Sequence, residues 1–202
     1  MRACQRGSAP QLLVRHGPAI ALDYVAKRRA DPSYGFKWPT RNGQSLYAVT
    51  RAALEEMTDG RCAYCDGHPI AAMGEAQIGH FRPKSREEFY DLVCTWENLF
   101  LICVACNKAK MDECDEALLR PDEPGFDFTR YFSYRTDTGS LEPNVAASAH
   151  EQHRARRTIE ILDLNRAGAC TFRRSTVRSM LNASTEDLAD LGYRYLIPLC
   201  LQ

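Results

Sequence analysis

Apolar residues recur at helical spacing most clearly in residues 46–57. A helix is predicted there, because these side chains share one face and Gly60 is placed to end it. Before this stretch the pattern is poorly periodic, with turn signals at 31–33 and 42–43. We predict one short helix over 20–29, within an N-terminal arm of uncertain order.

The middle of the chain alternates short apolar runs with turns. A strand is predicted over 76–81, ending before Pro83. Further apolar runs follow at 92–94 and 99–102, and residues 104–111 favour a helix. The predicted order is therefore strand, loop, strand, helix.

Aromatic residues dominate the segment that follows the chain break at 121–125. With a turn signal at 137–139, residues 126–143 are predicted to form a hairpin. Its aromatic side chains favour core packing over base stacking. Helices are then predicted over 145–164, over 170–182 and from residue 185 onward.

Four of the nine cysteines form two Cys-x-x-Cys pairs: Cys62, Cys65, Cys103 and Cys106. Two pairs at this spacing suit a tetrahedral zinc ion, so we predict a structural Cys4 zinc site. The insertion between them, residues 66–102, exceeds the roughly 15–20 residues of a simple zinc ribbon. Zinc thiolates and scattered remaining cysteines indicate reducing surroundings, and the apolar run at 11–14 is too short to span a membrane. We expect a cytoplasmic protein.

The total charge is balanced, with 26 basic and 26 acidic residues, but its distribution is uneven. Residues 1–50 and 150–180 are basic, whereas 112–127 is acidic. The basic flanks could hold a phosphate backbone while the acidic segment engages a protein or stays solvated. The alternative, to which we give equal weight, is that each basic flank is an ordinary solvent-exposed face.

Hydrolysis of a phosphodiester needs an activated water, a cation and donors that hold the backbone. His80 offers a neutral imidazole as general base, and Asn98 and Asn107 offer amide oxygens of the kind that a hard cation prefers. Four basic side chains are candidates for binding substrate phosphates: Arg82, Lys84, Lys108 and Lys110.

Four motifs carry a family resemblance: Cys62-x-x-Cys65, His80-Phe81-Arg82-Pro83-Lys84, Trp96-x-Asn98-Leu99 and Cys103-x-x-Cys106-Asn107-x-x-Lys110. They resemble the HNH endonucleases with a ββα-metal core, most closely the HNH subunit of Septu-type and retron-associated anti-phage defence systems. The segment 158–165 is similar to part of the same subfamily. The resemblance is specific over roughly residues 45–112.

The resemblance implies a role for each matching residue. His80 would be the general base, Asn107 would bind a catalytic Mg²⁺ or Mn²⁺ ion, and Asn98 would brace the loop that orients His80. The four cysteines would hold zinc away from the chemistry. An ATPase subunit of the same defence system would be the partner, and nucleic acid, with DNA preferred, the substrate.

The expected architecture is α+β, with a ββα-metal HNH core inside a mostly helical single domain. The N-terminal arm would cover residues 1–44. The helix and the zinc-stabilised HNH core would cover residues 45–120, and the aromatic hairpin and C-terminal helices, packed on the core, would cover residues 121–202.

One position departs from the family pattern, because many such nucleases place an acidic residue directly before the histidine. Here that residue is Gly79, which has no ligand to offer. Either a water molecule takes the missing ligand position on the catalytic metal ion, or a nearby carboxylate reaches it from Glu75, Glu97 or Asp112.

Two functions are therefore open. The first is a metal-dependent HNH endonuclease, and the second is a zinc-stabilised module that binds nucleic acid or protein without cutting. The second requires the cysteines but not His80 or Asn107.

Overall fold

The computed structural model describes residues 1–70, 76–181 and 184–200. Within them, helices and short strands are mixed, which confirms the predicted combination of the two. The helices are α1 Gln11–Ala30, α2 Leu46–Thr58, α3 Val104–Lys110, α4 Phe128–Tyr131, α5 Ala149–Ile161, α6 Ala167–Met180, α7 Thr185–Asp190 and α8 Ile197–Cys200. The strands are β1 Thr40–Arg41, β2 Gln44–Ser45, β3 Ala76–His80, β4 Leu99–Cys103, β5 Phe132–Tyr134 and β6 Leu141–Pro143, and they pair in sequence order as three antiparallel hairpins.

Helix α1 is twice as long as the predicted helix over 20–29. Gly17 and Pro18 lie in its middle and are poor helix formers, so the local pattern concealed it. Gly17 has a packing role: a Cβ there would lie only 3.2 Å from Cβ of Cys94. Contact with the 3-10 helix Glu87–Cys94 thus supports α1 where its own propensity is weak.

Helix α2 agrees with its prediction and leads directly into the first cysteine pair. Its first turn is capped by Ser45, whose Oγ accepts a hydrogen bond from the backbone N–H of Ala48. At its end Asp59 and Gly60 both take positive φ angles, and the Gly60 N–H donates to the Glu55 carbonyl.

The β3–β4 hairpin and α3 follow the predicted order of strand, loop, strand, helix. Ala76 pairs with Cys103 at one end of the hairpin, and His80 pairs with Leu99 at the other. Every residue of β4 is buried, and the 92–94 run belongs to a 3-10 helix rather than a strand.

The aromatic hairpin is shorter than the predicted 126–143, since α4 precedes β5. Its aromatic side chains at 126, 128, 131 and 132 are buried, as the core-packing interpretation requires. The turn contains Gly139 at φ +77°. Helices α5 and α6 lie within or close to their predicted ranges.

The acidic segment 112–127 pairs largely with arginines from elsewhere in the chain. These ion pairs are Arg6–Asp122, Arg82–Glu116, Arg154–Glu123 and Arg157–Asp115. Three of the four arginines belong to the basic flanks, so part of the flank charge is neutralised within the molecule. None of the helices in the described ranges combines the length and apolar character needed to cross a bilayer.

Candidate active site and metal centre

The four paired cysteines converge on one point. Cys62 and Cys65 follow α2, and Cys103 and Cys106 lie where β4 meets α3. Their Sγ atoms all lie within 4.8 Å of one another, and the side chains are buried. Tetrahedral zinc with Zn–S bonds of about 2.3 Å places sulfurs about 3.8 Å apart. Sγ of Cys65 and Sγ of Cys103 are 3.8 Å apart. The donor set and its spacing therefore fit a structural zinc ion.

Backbone and side-chain donors surround these sulfurs. The N–H of Cys103 donates to Sγ of Cys62, and the N–H of Cys106 donates to Sγ of Cys103. A guanidinium nitrogen of Arg166 lies 3.9 Å from Sγ of Cys106. Burial alone would lower the pKa of Arg166, but the neighbouring cysteine sulfurs raise it. This arginine, from the start of α6, offsets the negative charge that four thiolates bring.

His80 is the last residue of β3 and is 8% exposed. Burial, with a smaller contribution from the positive charge of Lys84, lowers its pKa from 6.5 to about 3. The ring is therefore neutral at physiological pH. Its Nε2 lies 3.0 Å from the carbonyl oxygen of Val93. Because a carbonyl only accepts, Nε2 carries the hydrogen and Nδ1 keeps the lone pair.

Asn98 joins the two sides of the loop between β3 and β4. Its Oδ1 accepts a hydrogen bond from the backbone N–H of Arg82 at 2.7 Å. Its Nδ2 donates to the carbonyls of Arg82 and Leu92, each at 3.1 Å. Asn98 thus fixes the backbone directly after His80 and the backbone beside Val93, the two segments that hold the imidazole.

Asn107 lies on α3, and its amide group is oriented by Gln77 of β3. Nδ2 of Asn107 donates to Oε1 of Gln77 at 2.6 Å. The carbonyl oxygen Oδ1 is therefore the amide atom left to accept or to bind a cation, and it lies 3.6 Å from where a Cβ on Gly79 would be. That position is beside His80.

One cavity of about 210 Å³ brings His80 and Asn107 together. Lys84 lines it as well, and the opposite wall comes from the N-terminal arm, with Arg28 and Phe36. The ring of Phe36 stands edge-on to the imidazole of His80, with centroids 6.4 Å apart. The arrangement can hold an anion beside a neutral base and an amide oxygen.

The profile of the HNH endonuclease family matches residues 62–113, the segment that runs from the first cysteine past α3. The match covers 52 of the 202 residues of the chain. The chain is also similar to the Septu protein PtuB of Bacillus thuringiensis, with 24% identity over 161 residues that cover 77% of this chain and 57% of that protein. A second relative, assigned to retron Vc95 of Vibrio cholerae serotype O1 biovar El Tor as an HNH endonuclease, is 26% identical over 130 residues, covering 61% of this chain and 60% of that protein. The chain thus spans about three-fifths of the length of these curated relatives.

Gly79 is enclosed within the segment that matches the HNH family. A Cβ at this position would lie 2.0 Å from Cδ1 of Ile102, so the side chain of Ile102 fills the space that an acidic residue would need. Glu97 and Asp112 are exposed and do not line the cavity, and Glu75 lies outside the described residues. The cavity is thus lined by two cations and, among the described residues, by no carboxylate.

The four basic side chains proposed to bind phosphate occupy different surroundings. Lys84 lines the cavity, and burial lowers its pKa. Lys108 is exposed on α3. Arg82 pairs with Glu116 at 2.9 Å, and Lys110 is 1% exposed, with Nζ donating to the carbonyl of Glu113. The structure brings Lys84 to the cavity that His80 and Asn107 line, and leaves the other three outside its lining.

Sequence reasoning missed Gln77 and the whole wall supplied by the arm. Gln77 was a usable signal, because it lies two residues before Gly79 on β3 and therefore shares with Gly79 the strand face that Asn107 contacts. Nothing in the local pattern of the arm pointed to His80, since the contact depends on how α1 packs.

Proposed function

We propose that this chain is a metal-dependent HNH endonuclease that hydrolyses phosphodiester bonds of DNA as the effector of an anti-phage defence system. The observation that carries the proposal is that His80 and Asn107, both in the segment that matches the HNH family, line one cavity. The defence role rests on the relatives named for Septu and for a retron. In this proposal β3, β4 and α3 serve as the ββα-metal core, with zinc held by the four cysteines.

His80 acts as the general base. Its support is the lowered pKa and the hydrogen bond from Nε2 to the Val93 carbonyl, which leave the lone pair on Nδ1. A water molecule in the cavity donates its proton to Nδ1 as its oxygen attacks the phosphorus atom. The bond between phosphorus and the leaving oxygen breaks as the new bond forms, and the leaving oxygen takes a proton from solvent water. Asn98 keeps the imidazole in place through its three hydrogen bonds to the loop backbone.

Asn107 would hold a Mg²⁺ or Mn²⁺ ion through Oδ1, with water and phosphate oxygens as its other ligands. Held by Asn107, such an ion would supply positive charge to offset the charge on the phosphate. The amide of Gln77 supports this assignment, because its hydrogen bond to Nδ2 of Asn107 keeps Oδ1 free. Lys84 contributes a positive charge to the phosphate, and Arg82, Lys108 and Lys110 remain proposed contacts along the backbone.

The partner in this proposal is an ATPase subunit of the same defence system. The similarity to a Septu protein supports a partner from the same defence system, and the motif resemblance implies that this partner is an ATPase.

The test is cleavage of plasmid DNA and of RNA by the full chain with Mg²⁺ or Mn²⁺, with and without a purified candidate ATPase subunit. Wild type is compared with His80→Ala and Asn107→Ala. Loss of a general base lowers a rate by about 10²–10⁴-fold, so the rate of His80→Ala is expected to fall at least about 10²-fold while the protein keeps its zinc. The rate of Asn107→Ala is expected to fall as well, because the variant lacks the oxygen proposed to hold the catalytic ion.

The matched control is His150→Ala, which removes an exposed histidine from α5. It is expected to cleave as wild type does. Equal cleavage by wild type and His80→Ala would remove the base from the proposal. Binding of nucleic acid without cleavage under any of these conditions would favour the zinc-stabilised module instead.

A further inference from the structure

We propose that the N-terminal arm is part of the nuclease site, and that Arg28 at the end of α1 binds a substrate phosphate in the His80 cavity together with Lys84. The inference rests on the proposed function and adds a phosphate contact outside the HNH domain. The arm lies wholly before the matched residues 62–113.

The first argument is the charge of the cavity. Arg28 and Lys84 both line it, and the described residues around it include no carboxylate. With Gly79 and Ile102 where an acidic residue would otherwise stand, the cavity keeps an excess of positive charge. A concave site with two cations beside a neutral base attracts an anion of phosphate size.

The second argument is the state of the Arg28 guanidinium. It forms no ion pair within the described ranges of the chain, and its contacts are long: 3.5 Å to the carbonyl of Tyr34 and 3.4 Å to that of Ser85. Its Nε is buried without a hydrogen-bond partner. A guanidinium has five donors in a planar fork that matches phosphate oxygens, so these donors suit a ligand.

The third argument is that the arm is fixed against the site. The hydroxyl of Tyr24 donates to the Lys84 carbonyl at 2.8 Å, which holds α1 against the backbone of the second cation. The Arg28 guanidinium lies over the ring of Tyr90, 5.4 Å from its centroid. Phe36, farther along the arm, contacts the imidazole of His80. Arg28 is therefore preorganised beside the general base.

The experiment measures the binding of fluorescent DNA and RNA to the full chain in the His80→Ala background. Protein is titrated at each of several KCl concentrations, which gives the dependence of the binding constant on salt. Removing one phosphate contact lowers the slope of log K against log salt by about 0.9 for duplex DNA. Arg28→Ala is expected to lower the slope by that amount and to weaken binding at least about fivefold. Arg28→Lys should keep the slope and recover part of the affinity, because the charge remains.

The matched control is Arg29→Ala, which removes the neighbouring arginine of the same helix turn. Its side chain is 65% exposed and pairs with Glu87, away from the cavity. Thermal melting of all variants separates a binding defect from a folding defect. Arg28→Lys serves as a second, conservative variant that is expected to fold.

Three results decide the matter. A smaller salt slope for Arg28→Ala than for Arg29→Ala, restored by Arg28→Lys, supports the inference. Equal slopes for Arg28→Ala and Arg29→Ala, in a protein whose wild type cleaves, overturn the inference and leave the nuclease intact. A wild type that neither cleaves nor binds nucleic acid overturns the proposed function and the inference with it.

Discussion

The two ends of the β3–β4 hairpin carry sites of opposite character. At the Ala76–Cys103 end, four sulfurs face one another with at most 1% of each side chain exposed. At the His80–Leu99 end, an imidazole and an amide face an open cavity lined by cations. Four residue steps of about 3.3 Å separate the ends, a distance of about 13 Å.

The difference follows from what each end must do. A structural metal site closes around its ion, whereas a site that binds substrate keeps an open position. The four sulfurs of the closed end come from the two cysteine turns, with Arg166 of the remote helix α6 beside them. The open end needs a wall from α1 and the arm, which come from a remote part of the chain. The hairpin connects them, because its register fixes where His80 lies relative to the cysteines.

The largest expected effect is at the closed end. Cys103→Ala should abolish the fold, since structural zinc contributes about 10–16 kcal/mol in small zinc domains, as much as a domain's whole stability. His80→Ala should stay folded with its zinc. Far-UV circular dichroism, thermal melting and zinc content check this, with Cys4→Ala as the control. A matched loss of stability in Cys103→Ala and His80→Ala would contradict the division between the two ends.

A smaller loss is expected when the loop brace is altered. Asn98→Asp keeps the acceptor for the Arg82 N–H but places a carboxylate against two carbonyl oxygens. The loss of two donated bonds within a buried site should lower the free energy of unfolding by about 2–4 kcal/mol. Urea denaturation measures it, and Asn42→Asp in an exposed turn is the control. An unchanged stability would show that Asn98 does not hold the loop.

Substitutions at Gly79 and Ile102 test why the His80 end of the hairpin has no acidic residue at position 79. Gly79→Ala should cost about 1–3 kcal/mol, because the new Cβ overlaps Cδ1 of Ile102. In an Ile102→Ala background the same substitution should be nearly neutral, since the obstructing atoms are gone. A double-mutant cycle measures the coupling. Additive losses would mean that Ile102 is not what excludes a side chain at residue 79.

The smallest effect concerns pH. The lowered pKa of His80, about 3, means that the imidazole is already neutral well below 6.5. A base is active when deprotonated, so its contribution to the cleavage rate is fully present above the folded pKa and is lost only as pH falls toward it. The rate should change less than about twofold between pH 5.5 and 7.5 on account of His80. A half-maximal rate near pH 6.5 would contradict the burial of the ring.

The sequence by itself determined the features that depend on short-range spacing. The paired cysteines converge because each x-x turn aims two sulfurs at one point, and α2, β3, β4 and α3 follow from local periodicity and capping. His80, Asn98 and Asn107 were found through motifs of fixed spacing, and the structure brings His80 and Asn107 to one cavity. Their chemical roles remain proposals.

The tertiary structure alone decided the features that depend on remote contacts. Helix α1 is long because the 87–94 segment packs against Gly17, a contact that no periodicity encodes. Arg82 and arginines from both flanks pair with four of the seven carboxylates in the acidic segment. The space at Gly79 is taken by Ile102 from the neighbouring strand. Arg28 faces His80 across more than fifty residues of sequence, since packing, not spacing, sets which distant side chains share a cavity.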